Sequence, residues 1–178
     1  TQHVAMPAKS DTPFQLDALI RKLFSQIHIK PHYIDLLLSH KAEFERVFTS
    51  AKFDPTNNYE ISELVGDGIA NSFLSMYFLN KFPQVQCSDG VKVLARLKIN
   101  YASKRSFANI ALGLGFWPFI RATEEERATE RESLLEDVFE AFIGATAKLL
   151  DEEFTIGVGY GIAYQLLKSI FDKMTFSL

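Results

Sequence analysis

Apolar residues recur at helical spacing along almost the whole chain, and no other feature constrains its fold as strongly. Asp11-Thr12-Pro13 is a typical helix start, and the face that follows carries Leu16, Leu19, Ile20, Leu23 and Ile27. No segment alternates apolar and polar residues over the length of a strand. The pattern therefore predicts an all-α protein.

The same spacing predicts four longer helices, which are separated by residues that break helices. Their expected ranges are about 13–27, 59–81, 130–150 and 158–172. The helix at 59–81 is expected to be the longest, about 35 Å at ~1.5 Å per residue, and therefore central. Shorter helices are expected between them, one of which can be capped by Ser88-Asp89.

The composition excludes a disordered or membrane-spanning chain. Of 178 residues, 47% are hydrophobic and 23% are charged, as in soluble globular proteins. The longest apolar stretch, 112–120, contains two glycines and a proline and is far shorter than a membrane helix. We expect a single domain over residues 1–178, with its core at about 13–172.

The start of the chain and its cysteine content bear on location. Residues 1–5 have neither a basic start nor an apolar run, so no secretory signal is expected. The single cysteine, Cys87, cannot form a disulfide within the chain, which fits a reducing compartment. We therefore expect an intracellular protein without membrane association, in the cytoplasm first, with the nucleus and organelles left open.

The net charge of -3 conceals two neighbouring segments of opposite sign. Residues 90–123 contain six basic residues and no acidic one, whereas residues 124–140 contain eight acidic residues and two arginines. The basic segment could contact phosphates. Solvated helix faces are the plain alternative for both segments.

Five acidic residues lie within otherwise apolar helical segments. Glu60, Glu63 and Asp67 are spaced i, i+3 and i+7 and form one stripe of their helix. Asp137 and Glu140 are three residues apart in a segment apolar enough for a core. Clustered carboxylates raise one another's pKa, pair with Lys or Arg, or bind a hard cation such as Mg²⁺, Mn²⁺ or Ca²⁺. A position at a helix edge with a salt bridge is the structural alternative.

Small residues accompany the acids and favour close approach of the two helices: Gly66, Gly68, Ala70, Ala141, Gly144 and Ala145. None of the four histidines follows a glutamate by three residues, which excludes a carboxylate-bridged di-iron bundle. The chain also lacks a Gly-x-Ser-x-Gly elbow and a glycine-rich phosphate loop. Metal-assisted chemistry on phosphate is the interpretation that these exclusions leave.

The two acidic segments resemble the signature motifs of the ribonuclease III catalytic domain. Residues 60–68, Glu-Ile-Ser-Glu-Leu-Val-Gly-Asp-Gly, are similar to the first motif, and residues 137–145, Asp-Val-Phe-Glu-Ala-Phe-Ile-Gly-Ala, to the second. The stretch between them is similar too, so the resemblance covers about 34–172. It implies a ribonuclease III-like helical domain built on a long central helix.

The resemblance also implies a metal-dependent endoribonuclease that hydrolyses phosphodiester bonds of double-stranded RNA. The catalytic and metal-binding positions are Glu63, Asp67, Asp137 and Glu140, with Glu60 beside them. Mg²⁺ is the implied cofactor, for which Mn²⁺ can substitute, and a homodimer places two sites across an RNA-binding valley. Phosphate contacts are expected at Lys92, Arg96, Lys98, Lys104 and Arg105.

The chain departs from the family pattern in its first motif. Ile61, Ser62 and Leu64 replace the usual basic, leucine and phenylalanine residues, and that phenylalanine commonly packs at the dimer interface. Leu64 therefore predicts a weaker dimer. The aromatic cluster at 116–120 is expected either at an interface or over the core. Because the sequence ends soon after the last predicted helix, no double-stranded-RNA-binding domain is expected in it.

Two other functions stay open at this point. A ribonuclease III-like scaffold would bind RNA without cutting it, although the intact acids argue against that role. An all-α nucleotide pyrophosphatase also holds Mg²⁺ on helical acids and would release pyrophosphate from nucleoside triphosphates. A cleavage assay on duplex RNA separates these alternatives.

Overall fold

The computed structural model describes residues 12–178 and confirms the all-α prediction. Within that range the regular elements are helical, and the only β contact is an isolated bridge between Thr49 and Arg121. The α-helices are α1 Thr12–Phe24, α2 Pro31–Ser39, α3 Lys41–Val47, α4 Glu60–Lys81, α5 Gly90–Tyr101, α6 Lys104–Gly113, α7 Glu124–Thr129, α8 Arg131–Glu153 and α9 Val158–Phe171. Short 3₁₀ turns occur at Pro83–Val85 and Trp117–Phe119.

Helices α4 and α8 form the centre of the fold and pack against each other more extensively than any other pair in the described part of the chain. They meet at two glycines. A Cβ atom on Gly66 would lie 1.7 Å from the carbonyl oxygen of Glu140, and one on Gly144 would lie 1.9 Å from that of Ser62. The absence of side chains at these two positions therefore sets the distance between the helices.

The prediction that the helix at 59–81 is the longest is wrong by one residue. Helix α4 has 22 residues, and α8 has 23. Helix α8 is also the more deeply buried, because α2, α3, α4, α6, α7 and α9 all pack against it. Both helices are central, and the two acidic motifs lie where they cross.

Local interactions set several helix ends differently from the sequence expectation. Helix α1 ends at Phe24 rather than near residue 27, and its Asp11 cap lies outside the described residues. The side chain of Asp89 does not cap α5, which begins at Gly90. Ser103 caps α6 by accepting a hydrogen bond from the Ser106 backbone N–H. Helix α7 was not predicted, although Thr123 and Glu126 form a reciprocal capping box at its start.

The aromatic cluster at 116–120 covers the core instead of forming an exposed surface. Phe116 and Ile120 are buried, and Trp117 and Phe119 are half-buried against the same core. The Phe116 ring lies 5.2 Å from that of Phe48 and 5.3 Å from that of Phe142. Across residues 12–178, no helix combines the length and hydrophobicity needed to cross a membrane.

Candidate metal centre and RNA-binding surface

The crossing of α4 and α8 brings the predicted acidic residues to one region. Glu63 and Asp67 project from α4, and Asp137 and Glu140 project from α8 near the contact between Gly66 and Gly144. Glu140 is buried, Glu63 and Asp137 are half-buried, and Asp67 is exposed. The set therefore extends from the helix interface to solvent.

Glu63 and Asp137 interact directly across the two helices. Burial, followed by the charge of Asp137 and a hydrogen bond to it, raises the pKa of Glu63 to about 7. Burial also raises the pKa of Asp137, although hydrogen bonds from Tyr59 and Glu63 act in the opposite direction. The hydrogen bond between the two carboxyl groups requires a proton on one of them, and the raised pKa shows that Glu63 carries it.

The carboxyl pKa of Glu140 is raised further than that of Glu63. Burial raises its pKa to about 8, and the negative charges of Asp67, Glu136, Glu63 and Asp137 add to the effect. These interactions place all four predicted ligands within electrostatic reach of one another. Glu140 therefore does not fit the alternative in which the acids lie at a helix edge and form salt bridges.

The donor chemistry of this region fits a hard divalent cation, because it consists of carboxylate oxygens. The side-chain conformations do not form a finished site, however. Within the described range, no group of three or more His, Cys, Asp or Glu side chains lies close enough together to hold a metal ion. Binding a cation at this crossing requires the carboxylates to rotate towards each other.

Two further residues at the crossing were not identified from the sequence. Tyr59 is buried, and its hydroxyl donates a 2.9 Å hydrogen bond to Oδ2 of Asp137. The half-buried Glu136 lies within electrostatic range of Asp67 and Asp137, and burial with these charges raises its pKa. No spacing rule points to Tyr59, since it precedes α4 and reaches α8 only in the folded chain. The position of Glu136 directly before Asp137 was the available signal.

The basic segment is divided between two helices, so that its members face different surroundings. Lys92, Arg96 and Lys98 lie on α5, whereas Lys104 and Arg105 lie on α6. Although Lys98 and Arg105 are only seven residues apart, they do not share a helical face, because α5 ends at Tyr101 and Arg105 belongs to α6.

Two of these lysines lie close to the acids. Lys104 Nζ is 2.9 Å from Ser133 Oγ and 4.0 Å from Glu136 Oε2. Lys98 lines a shallow cavity with Asn71, whose side-chain amide donates a 3.0 Å hydrogen bond to Asp67 Oδ1. These two cations therefore lie near the acidic cluster, Lys104 beside Glu136 and Lys98 beside the asparagine that binds Asp67.

Glu60 lies at the exposed start of α4, one turn before Glu63, and its charge contributes to the raised pKa of Glu63. The same turn exposes apolar side chains. Ile61 is 68% exposed and Leu64 is 72% exposed. A Cβ atom at Gly68, one turn beyond Leu64, would meet no atom within 4 Å. This face of α4 is therefore apolar and open next to the acidic cluster.

The model of the Ribonuclease III domain family matches residues 60–148, half of the chain, including both acidic motifs. The chain therefore belongs to the ribonuclease III family, as its two motifs predicted.

Relatives from viruses and bacteria carry the same name. The chain is 47% identical over 152 residues to a candidate ribonuclease 3 of Frog virus 3 (isolate Goorha), covering 84% of this chain and 41% of that protein. It is 37% identical over 174 residues to a candidate ribonuclease 3 of Invertebrate iridescent virus 6, covering 90% and 59%. Ribonuclease 3 of Campylobacter jejuni (strain RM1221) is 33% identical over 129 residues, covering 71% and 54%. The chain thus spans about half the length of these curated relatives.

Solved structures support the fold assignment. The nuclease domain of ribonuclease III from Campylobacter jejuni, in a 2.2 Å crystal structure, superposes with a TM-score of 0.63 at 23% identity, covering 89% of this chain and 97% of that one. A second structure of that domain, described for flexibility in its dimer-forming region, gives a TM-score of 0.62 at 24% identity, covering 86% and 97%. The helical arrangement of residues 12–178 is therefore that of a ribonuclease III nuclease domain.

Proposed function

We propose that the protein is a metal-dependent endoribonuclease that hydrolyses phosphodiester bonds of double-stranded RNA. The observation that carries the proposal is the convergence of carboxylates from α4 and α8, where burial and the neighbouring negative charges raise the pKa of Glu63 to about 7 and of Glu140 to about 8. Such an arrangement is unfavourable in the absence of a cation, and a cation-dependent reaction gives it a function. Family membership supports the same activity.

Glu63, Asp67, Asp137 and Glu140 are proposed to hold Mg²⁺, with Mn²⁺ as a substitute, and Glu60 acts from one turn away. When bound there, the ions activate water and stabilise negative charge on the phosphate and on the leaving 3′ oxygen. The protons held by Glu63 and Glu140 must leave before those carboxylates become ligands. Metal affinity is therefore expected to rise as the pH increases through about 7 to 8.

RNA binding is proposed to use Lys92, Arg96, Lys98, Lys104 and Arg105, which contact phosphates by charge and read little sequence. Reversing Lys98 to Glu should weaken duplex binding and flatten its salt dependence, by about 0.9 in the log–log slope per lost phosphate contact on the scale of duplex DNA. Lys30→Glu is the matched control, since Lys30 precedes α2, whose Tyr33 ring contacts Phe154 at the opposite end of α8. An unchanged salt dependence in Lys98→Glu would show that Lys98 is an ordinary solvated residue that contacts no phosphate.

The proposal also includes the domain organisation, the homodimer and the location of the protein. The residues form one ribonuclease III catalytic domain with a continuous core, and two copies pair through the open apolar face of α4 that contains Ile61 and Leu64. An intracellular location is supported by the exposed thiol of Cys87, which has no disulfide partner.

The decisive experiment is cleavage of a long RNA duplex by the purified protein in Mg²⁺ or in EDTA. We expect cuts within both strands in Mg²⁺, none in EDTA, and none from Glu140→Gln, which keeps the side-chain volume and removes a charged ligand. RNA that is bound but left intact in Mg²⁺ would indicate a scaffold. Release of pyrophosphate from nucleoside triphosphates, with intact duplex RNA, would indicate a pyrophosphatase.

A further inference from the structure

A cavity of about 540 Å³ opens between α5, α6 and α9, on a side of α6 that the acidic cluster does not occupy. Its volume is within the range of small-molecule sites. The floor is apolar, with Tyr101, Ile110, Leu114, Ile170 and Met174, and polar groups lie among these side chains: Asn100, Ser103, Arg105, Ser106 and Asn109. This combination of an apolar base and a few amide, hydroxyl and guanidinium groups is typical of a ligand site.

The charge around this cavity has one sign. A second cavity of about 270 Å³ adjoins it, shares Gly113, Leu114 and Ile170 with it, and is lined by Lys22 and Lys173. With Arg105, three cations therefore line the two cavities, and none of the described lining residues is Asp or Glu. The acid nearest in sequence, Asp172, is already bound to Lys168 and Tyr77. The joined cavities therefore favour an anionic ligand.

One hydroxyl group in the wall of the larger cavity lacks a partner. Ser106 Oγ is the buried side-chain oxygen that has no hydrogen-bond partner among the described residues. Buried polar groups are nearly always hydrogen-bonded, so this exception calls for an explanation. The oxygen is enclosed in the wall of the cavity, so a ligand supplies the missing hydrogen bond only if the Ser106 side chain rotates towards the opening.

We propose that the joined cavities bind a nucleotide whose base is unpaired. The aromatic and aliphatic floor accepts the flat face of a base, the amides of Asn100 and Asn109 pair with its edge, and the three cations accept its phosphate. Such a nucleotide can be a free mononucleotide or part of a single-stranded stretch of RNA. This site is distinct from the acidic cluster and does not depend on cleavage.

The first turn of α6 connects this site to the acidic cluster. Lys104 reaches Ser133 and Glu136 on α8, while the next two residues, Arg105 and Ser106, line the cavity. Consecutive Cα atoms are about 3.8 Å apart, so a nucleotide held in the cavity lies within a few residues' length of the acids. An RNA strand that binds at both the acidic cluster and the cavity would have its unpaired end in the cavity, away from the surface that binds the duplex.

The test uses adenosine 5′-monophosphate as the probe, in EDTA, with methyl NMR signals of Ile110, Ile170 and Met174 as the readout. We expect these signals to shift on titration, and adenosine without its phosphate to bind about tenfold more weakly, because the three cations lose their partner. A pentaadenylate strand distinguishes the two sources: shifts at the same methyl groups indicate single-stranded RNA, and shifts with the mononucleotide alone indicate a free nucleotide. Either result supports the site.

Two variants address the site without disturbing the fold. Gly113 lines both cavities, and a Cβ atom there would meet nothing within 4 Å, so Gly113→Leu adds bulk where space exists. Asn109→Ala removes an exposed amide from the wall. Each should weaken binding of the mononucleotide about tenfold or more, which corresponds to the loss of about 1.4 kcal/mol or more. Gly161→Leu on α9 is the control, since Gly161 is also free of neighbours and lines neither cavity.

Three outcomes would overturn the proposal. The methyl signals could stay unchanged at saturating mononucleotide, or they could shift equally in Gly113→Leu, which would place the binding elsewhere. A neutral apolar probe such as hexanol could also shift them more strongly than the mononucleotide, which would indicate a protein-docking surface. Since the titration needs neither metal nor turnover, its failure is distinguishable from failure of the proposed nuclease activity.

Discussion

Glu140 is the most buried of the four proposed ligands, and its ionisation costs folding free energy. Its pKa of about 8 in the folded protein lies above the ordinary value of 4.5, so between those pH values the folded state holds a proton that the unfolded state has lost. Stability of the metal-free protein should therefore fall as the pH rises through this window. Glu140→Gln removes the titrating group and should make the free energy of unfolding less dependent on pH.

Urea unfolding in EDTA near pH 6 and pH 8.5 measures this effect. The parent protein should lose roughly 1–4 kcal/mol more than Glu140→Gln between the two conditions. Above pH 8 the variant should be the more stable of the two. Equal losses would show that the Glu140 carboxyl group is not held against its neighbours in the way described.

The hydrogen bond from Tyr59 to Asp137 affects the ionisation of both side chains. The Tyr59 hydroxyl lowers the pKa of Asp137, and burial together with Asp137 raises the pKa of the phenol, which therefore stays protonated as a donor. In Tyr59→Phe the pKa of Asp137 should rise, and the metal-dependent cleavage rate should reach its plateau at higher pH. Loss of a hydrogen bond to a charged group should also cost roughly 1.5–3 kcal/mol of stability.

Tyr77→Phe is the matched control, because the Tyr77 hydroxyl donates a bond of the same 2.9 Å length to Asp172, away from the acidic cluster. Both variants lose a tyrosine–aspartate hydrogen bond, and both should be less stable. Only Tyr59→Phe should shift the pH–rate profile. If the pH–rate profile shifted in both variants, Tyr59 would have only a structural role.

At the scale of the helices, the contact between α4 and α8 depends on two glycines more than on any apolar pair. Gly66→Ala places a Cβ atom 1.7 Å from the carbonyl oxygen of Glu140, so the helices must separate. We expect a loss of roughly 2–4 kcal/mol in the free energy of unfolding. Gly68→Ala, two residues along the same helix, meets nothing within 4 Å and should gain about 1 kcal/mol from helix propensity. Thermal or urea unfolding of both variants gives the comparison.

The helices also show what a sequence can and cannot predict. Periodicity predicted α4, α8 and α9 nearly to their ends, because α4 and α9 each bury a long apolar face and α8 is buried on nearly all sides. It did not predict α7, whose six residues contain three glutamates in the first turn and only one buried side chain, Glu126. That side chain is buried because it accepts a hydrogen bond from Ser50, a contact that exists only after folding. Its bond from the Thr123 backbone belongs to the local capping box, whose Thr-x-x-Glu spacing was the signal available in the sequence.

The proposed metal centre also contains residues that the sequence predicted and residues that it did not. The spacing of Glu63, Asp67, Asp137 and Glu140 was readable because each pair repeats along one helix. The contributions of Tyr59 and Lys104 were not readable as part of this centre, because each arises from an element that meets α8 through tertiary packing. Local spacing therefore predicts which residues share a helix, and the crossing of helices decides which of them share a site.

At the scale of the whole molecule, the exposed apolar face of α4 is the expected contact between two subunits. Ile61 and Leu64 are largely exposed, in contrast to the fully covered aromatic residues of the core. Burying one such side chain contributes about 1.5–3 kcal/mol, and a symmetric pair would use each side chain twice. We expect a homodimer that dissociates on dilution, and cleavage of both strands that follows the dimer population.

Leu64→Glu tests this assembly, because it places a charge at the centre of the proposed contact without filling any internal space. Light scattering across a dilution series should show a monomer at concentrations where the parent protein is dimeric, and cleavage of both strands of a duplex should fall in parallel. Ile156→Glu is the matched control, since Ile156 is 93% exposed in the turn between α8 and α9 and lies outside the proposed interface. It should dimerise and cut as the parent does. A parent protein that is monomeric at every concentration and still cuts both strands efficiently would refute the two-site dimer, whereas loss of dimerisation in both variants would place the interface elsewhere.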